Sequence, residues 1–317
     1  TTRGFAVLIF DTPPTPQCHA STVVEAKPGE FVAAWFGGKA EKARDVQIWL
    51  SRFDGKAWSK PEVVGSEPGQ PCWNPVLFEV PGRGLTLWYK AGPDPETWTG
   101  FVRDSQDGGK SWSKPDMLPA GFFGPVRAKP HAMPDGTLLA PTSVESYRNW
   151  TPYVDRSADG GKTWTRSNAF SGKTGPHQIQ PTLFVGRGGE LVALTRSRNP
   201  RKVCRSVSKD GGVTFTPAEP TNVPNPSAGI DAVMTPDGTA WLVCNNSPLL
   251  RTPLSLAKST DDGKTWAHAF DLETAVGEFS YPAMVLTKAG HLAVTYTWHR
   301  THIKFERFDP TTGKLVG

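Results

Sequence analysis

The sequence predicts an all-β fold, a six-bladed β-propeller of four-stranded antiparallel blades, and two independent repeats predict it. The first is the motif S-x-D-x-G-x-[ST]-[WF], which runs from Ser105 to Trp112, Ser157 to Trp164, Ser208 to Phe215 and Ser259 to Trp266. A shifted copy, Ser51 to Trp58 around Asp54 and Gly55, precedes them. The aromatic ends recur about every 52 residues, the period of a propeller blade. The second repeat is a polar residue, often followed by Pro, then apolar alternation, a Gly turn and another apolar run. It opens six times, at His19, Asn74, Lys129, Gln180, Asp231 and Tyr281.

Taken in order, each opening starts a hairpin of two strands joined at glycine. His19 to Val24 turns at Gly29 into Phe31 to Trp35, and Asn74 to Phe78 turns at Gly84 into Leu85 to Tyr89. The third and fourth hairpins turn at Gly136 and Gly189, the fifth and sixth at Gly238 and Gly290. A third strand then leads into the S-x-D turn. There the Asp side chain accepts bonds from the turn's own amides, Gly supplies positive φ, and the aromatic ring plugs between neighbouring sheets. Asp107, Asp159, Asp210 and Asp261 are therefore expected to be structural caps. The sixth blade has only a relic of this turn, Phe308 to Gly313. Its fourth strand is expected from Phe5 to Phe10, which closes the ring by pairing the chain's two ends and removes an open sheet edge. The repeats span nearly all 317 residues, so residues 1–317 read as one domain. Abundant Trp (12), Gly (32) and Pro (30) suit many short strands and tight turns.

A net charge of +5 and a pI near 9.0 favour anionic partners. No dense Lys/Arg run marks a nucleic-acid surface. No segment is long enough to span a membrane, and the apolar stretch Phe5 to Phe10 is too short for a signal peptide. The chain opens at Thr1 without Met, as after removal of a leader or tag. Cys18, Cys72, Cys204 and Cys244 lack metal-type spacing; Cys18 and Cys72 either meet near the axis or stay buried free thiols. No H-E-x-x-H, EF-hand loop, P-loop or dinucleotide fingerprint is present, so neither metal nor cofactor is expected. Oligomeric state is not legible.

In a propeller the inner strands open around a central funnel, and here all six openings are polar or ionisable. Gln17, Gln70, Arg127, His177, Gln178 and Glu278 lie within a few residues of them. Any one of these side chains is explained by bridging water in the channel; the whole ring points to a binding site. Glu145, Asn245, Arg198 and Arg300 follow second strands, where they line the funnel wall or form exposed salt bridges.

On these motifs the chain resembles the sialidase (neuraminidase) superfamily, and among it the bacterial predicted neuraminidases. The resemblance covers essentially the whole chain. It implies retaining glycosidase chemistry with a tyrosine nucleophile, an exception to paired carboxylates. It implies three arginines on the substrate carboxylate, a glutamate that deprotonates the tyrosine, and an aspartate acting as acid and base. Ser280-Tyr281-Pro282-Ala283-Met284 stands where the family carries its nucleophile, Gly189 to Arg196 fits the second arginine, and Asn246 to Arg251 fits the third. Asp45, ahead of the strand into the first turn, fits the acid. Two positions depart: His19 replaces the first arginine and Gln180 the glutamate. An amide cannot take a phenol's proton, so the base for Tyr281 is sought in Glu278, Asp231 or His19.

The main expectation is thus a retaining exo-glycosidase on a terminal acidic sugar. Asp45 and Tyr281 would do the chemistry and Arg196 and Arg251 would hold the carboxylate, helped by Lys129 or Arg127. Asn74, Asp231 and Glu145 complete the expected binding residues. A uronate lyase is the alternative, with either His19 or Tyr281 abstracting the proton and the other protonating the departing oxygen. A silent carbohydrate-binding propeller is the third, with Trp35, Tyr89, Trp98, Tyr147, Trp150 and Trp298 available to stack on sugars. The expected partner is a carboxylated carbohydrate, met after export to a bacterial periplasm or exterior; a cytoplasmic setting is the alternative.

Overall fold

A computed structural model describes residues 6–172 and 177–316. Their twenty-four strands form six four-stranded antiparallel sheets, the blades of a six-bladed β-propeller. β1 (Ala6–Leu8) stands apart in sequence from its own sheet. Blade one is β2 (Gln17–Lys27), β3 (Glu30–Gly38), β4 (Gln47–Phe53) and β5 (Glu62–Gly65). Blade two is β6 (Cys72–Val80), β7 (Gly84–Ala91), β8 (Thr99–Ser105) and β9 (Asp116–Met117). Blade three is β10 (His131–Ala132), β11 (Leu138–Glu145), β12 (Trp150–Ser157) and β13 (Thr165–Arg166). Blade four is β14 (Gln178–Val185), β15 (Leu191–Ser197), β16 (Lys202–Ser208) and β17 (Glu219–Pro224). Blade five is β18 (Asp231–Met234), β19 (Ala240–Asn245), β20 (Leu254–Ser259) and β21 (Ala267–Glu273). Blade six joins β22 (Phe279–Leu286), β23 (Leu292–Trp298) and β24 (His302–Phe308) to β1, in the order β1-β24-β23-β22.

The N-terminal strand therefore does complete blade six, with Ala6, Val7 and Leu8 paired to Glu306, Phe305 and Lys304. Phe5, the expected start of that strand, lies outside the described residues. Two compact units divide the chain at Phe123/Gly124 and Ser280/Tyr281. The first contains blades one and two and most of blade six; the second contains blades three, four and five.

Within the first unit, β2, β3, β4, β6 and β7 bury Val24, Ala34, Ile48, Leu77, Leu87 and Tyr89 in one apolar layer. Another layer gathers Phe31, Trp35, Phe53, Ile303 and Phe305. The second unit repeats the arrangement around Leu139, Leu183 and Phe215, and again around Val192, Leu242 and Trp266. Within each unit, strands that alternate apolar and polar residues produce these layers where neighbouring blades face each other.

The S-x-D turns are closed caps. Ser105 Oγ donates to Asp107 Oδ1 at 2.8 Å and accepts the Gly109 amide at 2.8 Å. Asp107 in turn accepts the Ser111 amide and hydroxyl at 2.8 and 2.6 Å. Asp159, Asp210 and Asp261 repeat the pattern. The first-blade copy differs from the expected alignment: Phe53, not Ser51, stands on the rung that Ser105 holds. Asp54 there caps only Lys56 and Ala57. The relic in blade six keeps a cap of this kind, in which Asp309 accepts bonds from Thr311 and Thr312.

Candidate active site

A matching hairpin rung in five of the blades fixes which inner-strand residues are equivalent. Glu25↔Phe31, Glu79↔Leu85, Ala132↔Leu138, Val185↔Leu191 and Met234↔Ala240 are those rungs. Counting back along β2, β6, β14 and β18 puts Thr22, Val76, Thr182 and Asp231 on one level, and in the first three of these strands Ala20, Asn74 and Gln180 on an earlier one. At this earlier level the backbone does something unusual. Ala20, Asn74, Gln180 and Tyr281 carry φ of 55°, 36°, 54° and 52°, and the ladders of β2, β6 and β14 slip there. A left-handed non-glycine residue costs roughly 1–2 kcal/mol. Bulges of this kind persist where they re-aim a side chain. Pro75, Pro181 and Pro282 follow directly, residues with no amide for the ladder to lose.

The strand bounds have β18 opening at Asp231 as expected, β10 opening at His131 rather than Lys129, and the other inner strands opening two residues before the expected ones. β2 begins at Gln17, and the equivalent of Tyr281 in blade one is Ala20, so His19 lies one residue before the bulge. Asp231 lies deeper, on the Thr22 and Thr182 level, and Lys129 precedes β10.

In the first unit, His19 and Tyr281 are brought together. Their rings lie 4.2 Å apart between centroids, tilted by 50°. His19 is buried, and its Nδ1 is 2.9 Å from Thr297 Oγ1, which also accepts the Ala20 amide at 3.2 Å. Phe36 backs the imidazole edge-on at 5.7 Å, and Trp73 backs Phe36 at 6.0 Å. Asn74 is buried, and its carbonyl accepts Lys90 Nζ at 3.2 Å; Lys90 is wholly enclosed. Asp45 is exposed in the loop between β3 and β4, where its carboxylate accepts the Lys39 amide at 3.2 Å. Glu41 ties that loop to Arg300 through a 2.5 Å ion pair, and the Arg300 carbonyl accepts the Cys18 amide.

In the second unit, three other pairs form. Arg196 donates from Nη1 to Gln180 Oε1 at 3.0 Å, both side chains buried. Arg251 donates to Glu278 at 2.6 Å, and Ser280 Oγ donates to the same carboxylate oxygen at 2.9 Å. Glu278, a candidate base for Tyr281, is thus engaged as the acceptor of Arg251. Asp231, another such candidate, accepts Lys129 Nζ at 2.9 Å, Thr182 Oγ1 at 2.7 Å and its neighbour's amide at 2.9 Å. Lys129 and Asp231 are each other's partners. Arg127 is almost wholly enclosed, and Glu145 faces Trp150 across β11 and β12.

Of the neighbours of the site, Thr297 and Lys90 escaped the sequence reading. Lys90 alone left a signal, a cation inside the apolar run Leu87-Trp88-Tyr89-Lys90-Ala91. Among the described residues no cluster of His, Cys, Asp and Glu could hold a metal ion. No helix among the described residues is long and apolar enough to cross a membrane. All four cysteines are buried and free, so Cys18 and Cys72 do not pair.

Comparison with known proteins adds an independent line. A xyloglucanase of Paenibacillus sp. is 28% identical over 177 residues, covering 54% of this chain and 15% of that protein. A sialidase of Bacteroides fragilis is 26% identical over 230 residues, covering 62% of this chain and 41% of its own. The chain therefore spans less than half the length of either curated relative. A Dyadobacter fermentans protein of unknown function superposes with a TM-score of 0.78 at 20% identity, covering 96% of this chain and 98% of the other. The NanB sialidase of Streptococcus pneumoniae superposes with a TM-score of 0.79 at 14% identity, covering 96% and 70%. These superpositions show the fold. The BNR repeat-like domain family matches residues 29–294, most of the chain. With its capped turns, six blades and sialidase relatives, the chain belongs to the BNR repeat-like domain family of the sialidase superfamily.

Proposed function

We propose that the chain is a retaining exo-glycosidase that removes a terminal carboxylate-bearing sugar, sialic acid or a relative. The observation that carries this reading is the His19–Tyr281 pair, a buried imidazole packed on a phenol that a strained bulge holds in place. With Nδ1–H donated to Thr297, His19 keeps Nε2 unprotonated, the form that can take the phenol proton. Tyr281 Oη then attacks the anomeric carbon, the bond to the leaving oxygen breaks, and Asp45 delivers a proton to that oxygen. Water next displaces the tyrosine with Asp45 as base, which restores the anomeric configuration. His19 thereby takes the part that the family gives to the glutamate replaced by Gln180.

Arg251 and Arg196 are assigned to the substrate carboxylate, and a guanidinium suits it because two parallel donors meet two oxygens. Both arginines already hold acceptors, Glu278 and Gln180, that fix their orientation before substrate arrives. Arg127, Lys129, Asn74, Asp231 and Glu145 are assigned supporting roles in binding. Curated relatives named as a sialidase and a xyloglucanase support a glycosidase. An exported setting, where such glycans are met, belongs to the same proposal.

The test is turnover of aryl glycosides of sialic and glucuronic acid by the purified chain and by Tyr281→Phe. Release by the native chain and loss of about a thousandfold or more in Tyr281→Phe, with sugar affinity kept, is the expected result. Binding without turnover in both would replace the enzyme with a carbohydrate-binding propeller. The same His–Tyr pair also suits a lyase, one ring abstracting the proton beside a uronate carboxylate and the other protonating the departing oxygen. A product with an ultraviolet-absorbing double bond identifies that reaction.

A further inference from the structure

Beside Arg196 in the second unit stands a cation that none of the roles above uses. Arg198 follows the end of β15, and its guanidinium carbon lies 3.8 Å from the centre of the Trp150 indole. Arg196 lies 5.7 Å from the same ring. His177 completes the cluster: its ring meets Trp150 edge-on at 6.5 Å, and its carbonyl accepts the Arg198 amide at 2.9 Å. Arg198 is exposed, and among the described residues its side chain makes no hydrogen bond or ion pair. Arg300, read from sequence in the same way, does have a carboxylate partner, Glu41. Glu145, the cross-strand partner of Trp150, is the acid nearest in register.

Stacking has a specific consequence. A guanidinium lying on an indole uses its face and keeps its in-plane N–H donors available, in a fixed fork. Holding that fork in advance removes much of the entropy cost of closing it on a ligand. Two cations share one aromatic ring here, and the position that the family resemblance gave to a glutamate carries neutral Gln180. The local charge is therefore suited to more than one negative group.

We propose that Arg198, held by Trp150, is an oxyanion subsite separate from the carboxylate-binding arginines, and that the sugar recognised bears a second oxyanion substituent such as a sulfate ester. The first half stands on the Arg198–Trp150 geometry alone; the second rests on the acidic-sugar reading above. Inorganic sulfate tests the first. With arginine side chains labelled with nitrogen-15, sodium sulfate replaces chloride at constant ionic strength, and the Arg198→Lys variant identifies the Arg198 Nε–H resonance. A saturable shift of that resonance is expected, weakened about tenfold in Trp150→Ala and within about threefold of native in Trp150→Phe. No saturable shift, or an unchanged one in Trp150→Ala, overturns the subsite. Heparin-derived uronate disaccharides with and without sulfate test the second half. A preference of about tenfold for the sulfated form that disappears in Arg198→Ala, with the unsulfated affinity unchanged, supports it. An equal loss for both forms overturns it. Sulfate binding at Arg198 with neither disaccharide bound keeps the subsite and removes the acidic-sugar reading.

Discussion

Tyr281, Gln180 and Asn74 share a conformation that their side chains ordinarily avoid, and their blades keep it. What they present follows from that twist: a phenol beside an imidazole, an amide beside a guanidinium, a carbonyl beside an enclosed ammonium. Cysteine chemistry is silent by comparison. Burial pushes the Cys204 thiol up to about 11 and Cys72 and Cys244 to about 12, and raises Cys18 as well. An aromatic disulfide reagent is therefore expected to leave all four thiols untouched in the native protein and to titrate four after denaturation. Any fast-reacting thiol in native buffer contradicts the burial. The turn aspartates carry a pH signature of opposite origin. The Thr214 hydroxyl and amide hold Asp210 down to about 2 from its ordinary 3.8. A depressed carboxylate contributes stability that is complete above its unfolded value and is lost as pH falls through the folded one. Asp210→Ala should therefore melt a few degrees below native at pH 7, and the gap should close between pH 4 and about 2. A gap that persists at pH 2 would mean that the cap works through something other than its charge.

Among the strands, the capped turns do more than terminate hairpins. Arg52 in β4 donates to the Gly109 carbonyl, Arg156 in β12 to Gly211, and Arg205 in β16 to Asp262. In each case a third-strand arginine reaches the turn of the following blade. Asn168 and Asn222 accept the amides of the plugging residues Phe215 and Trp266. The inner strands of blades three and five are held by different means. Lys129 and Asp231 form a buried pair with Asp231 almost fully enclosed, so removing one partner strands the other charge. Lys129→Met and Asp231→Asn are each expected to cost about 3–5 kcal/mol in denaturant unfolding, and the double variant less than their sum. Additive losses would show that the pair does not act as a unit.

For the chain as a whole, the closing contact is the short β1 strand on β24. Deleting the residues through Leu8 uncovers the β24 edge and the apolar layer under Ile303 and Phe305. The shortened protein should melt well below native and form aggregates whose onset depends on concentration, measured by light scattering during a thermal ramp. Unchanged melting and clear solutions would assign the closure elsewhere.

The sequence by itself determined the number of blades, the S-x-D turns and the N-terminal strand of blade six, because repeats of polarity and glycine report hairpins wherever they fall. It also singled out Tyr281 as a polar residue opening an apolar strand, and the family resemblance added Arg196 and Arg251. Only the tertiary structure decided the level on which each inner residue stands. A bulge inserts one residue and shifts the alternation by one, a slip that strand pairing reveals and sequence does not, so His19 reads like a strand opening while Ala20 holds the position. Partnerships lay equally out of reach. Thr297 and His19 are separated by most of the chain, as are Lys129 and Asp231 by two blades, and distance along a sequence carries no record of which charges meet.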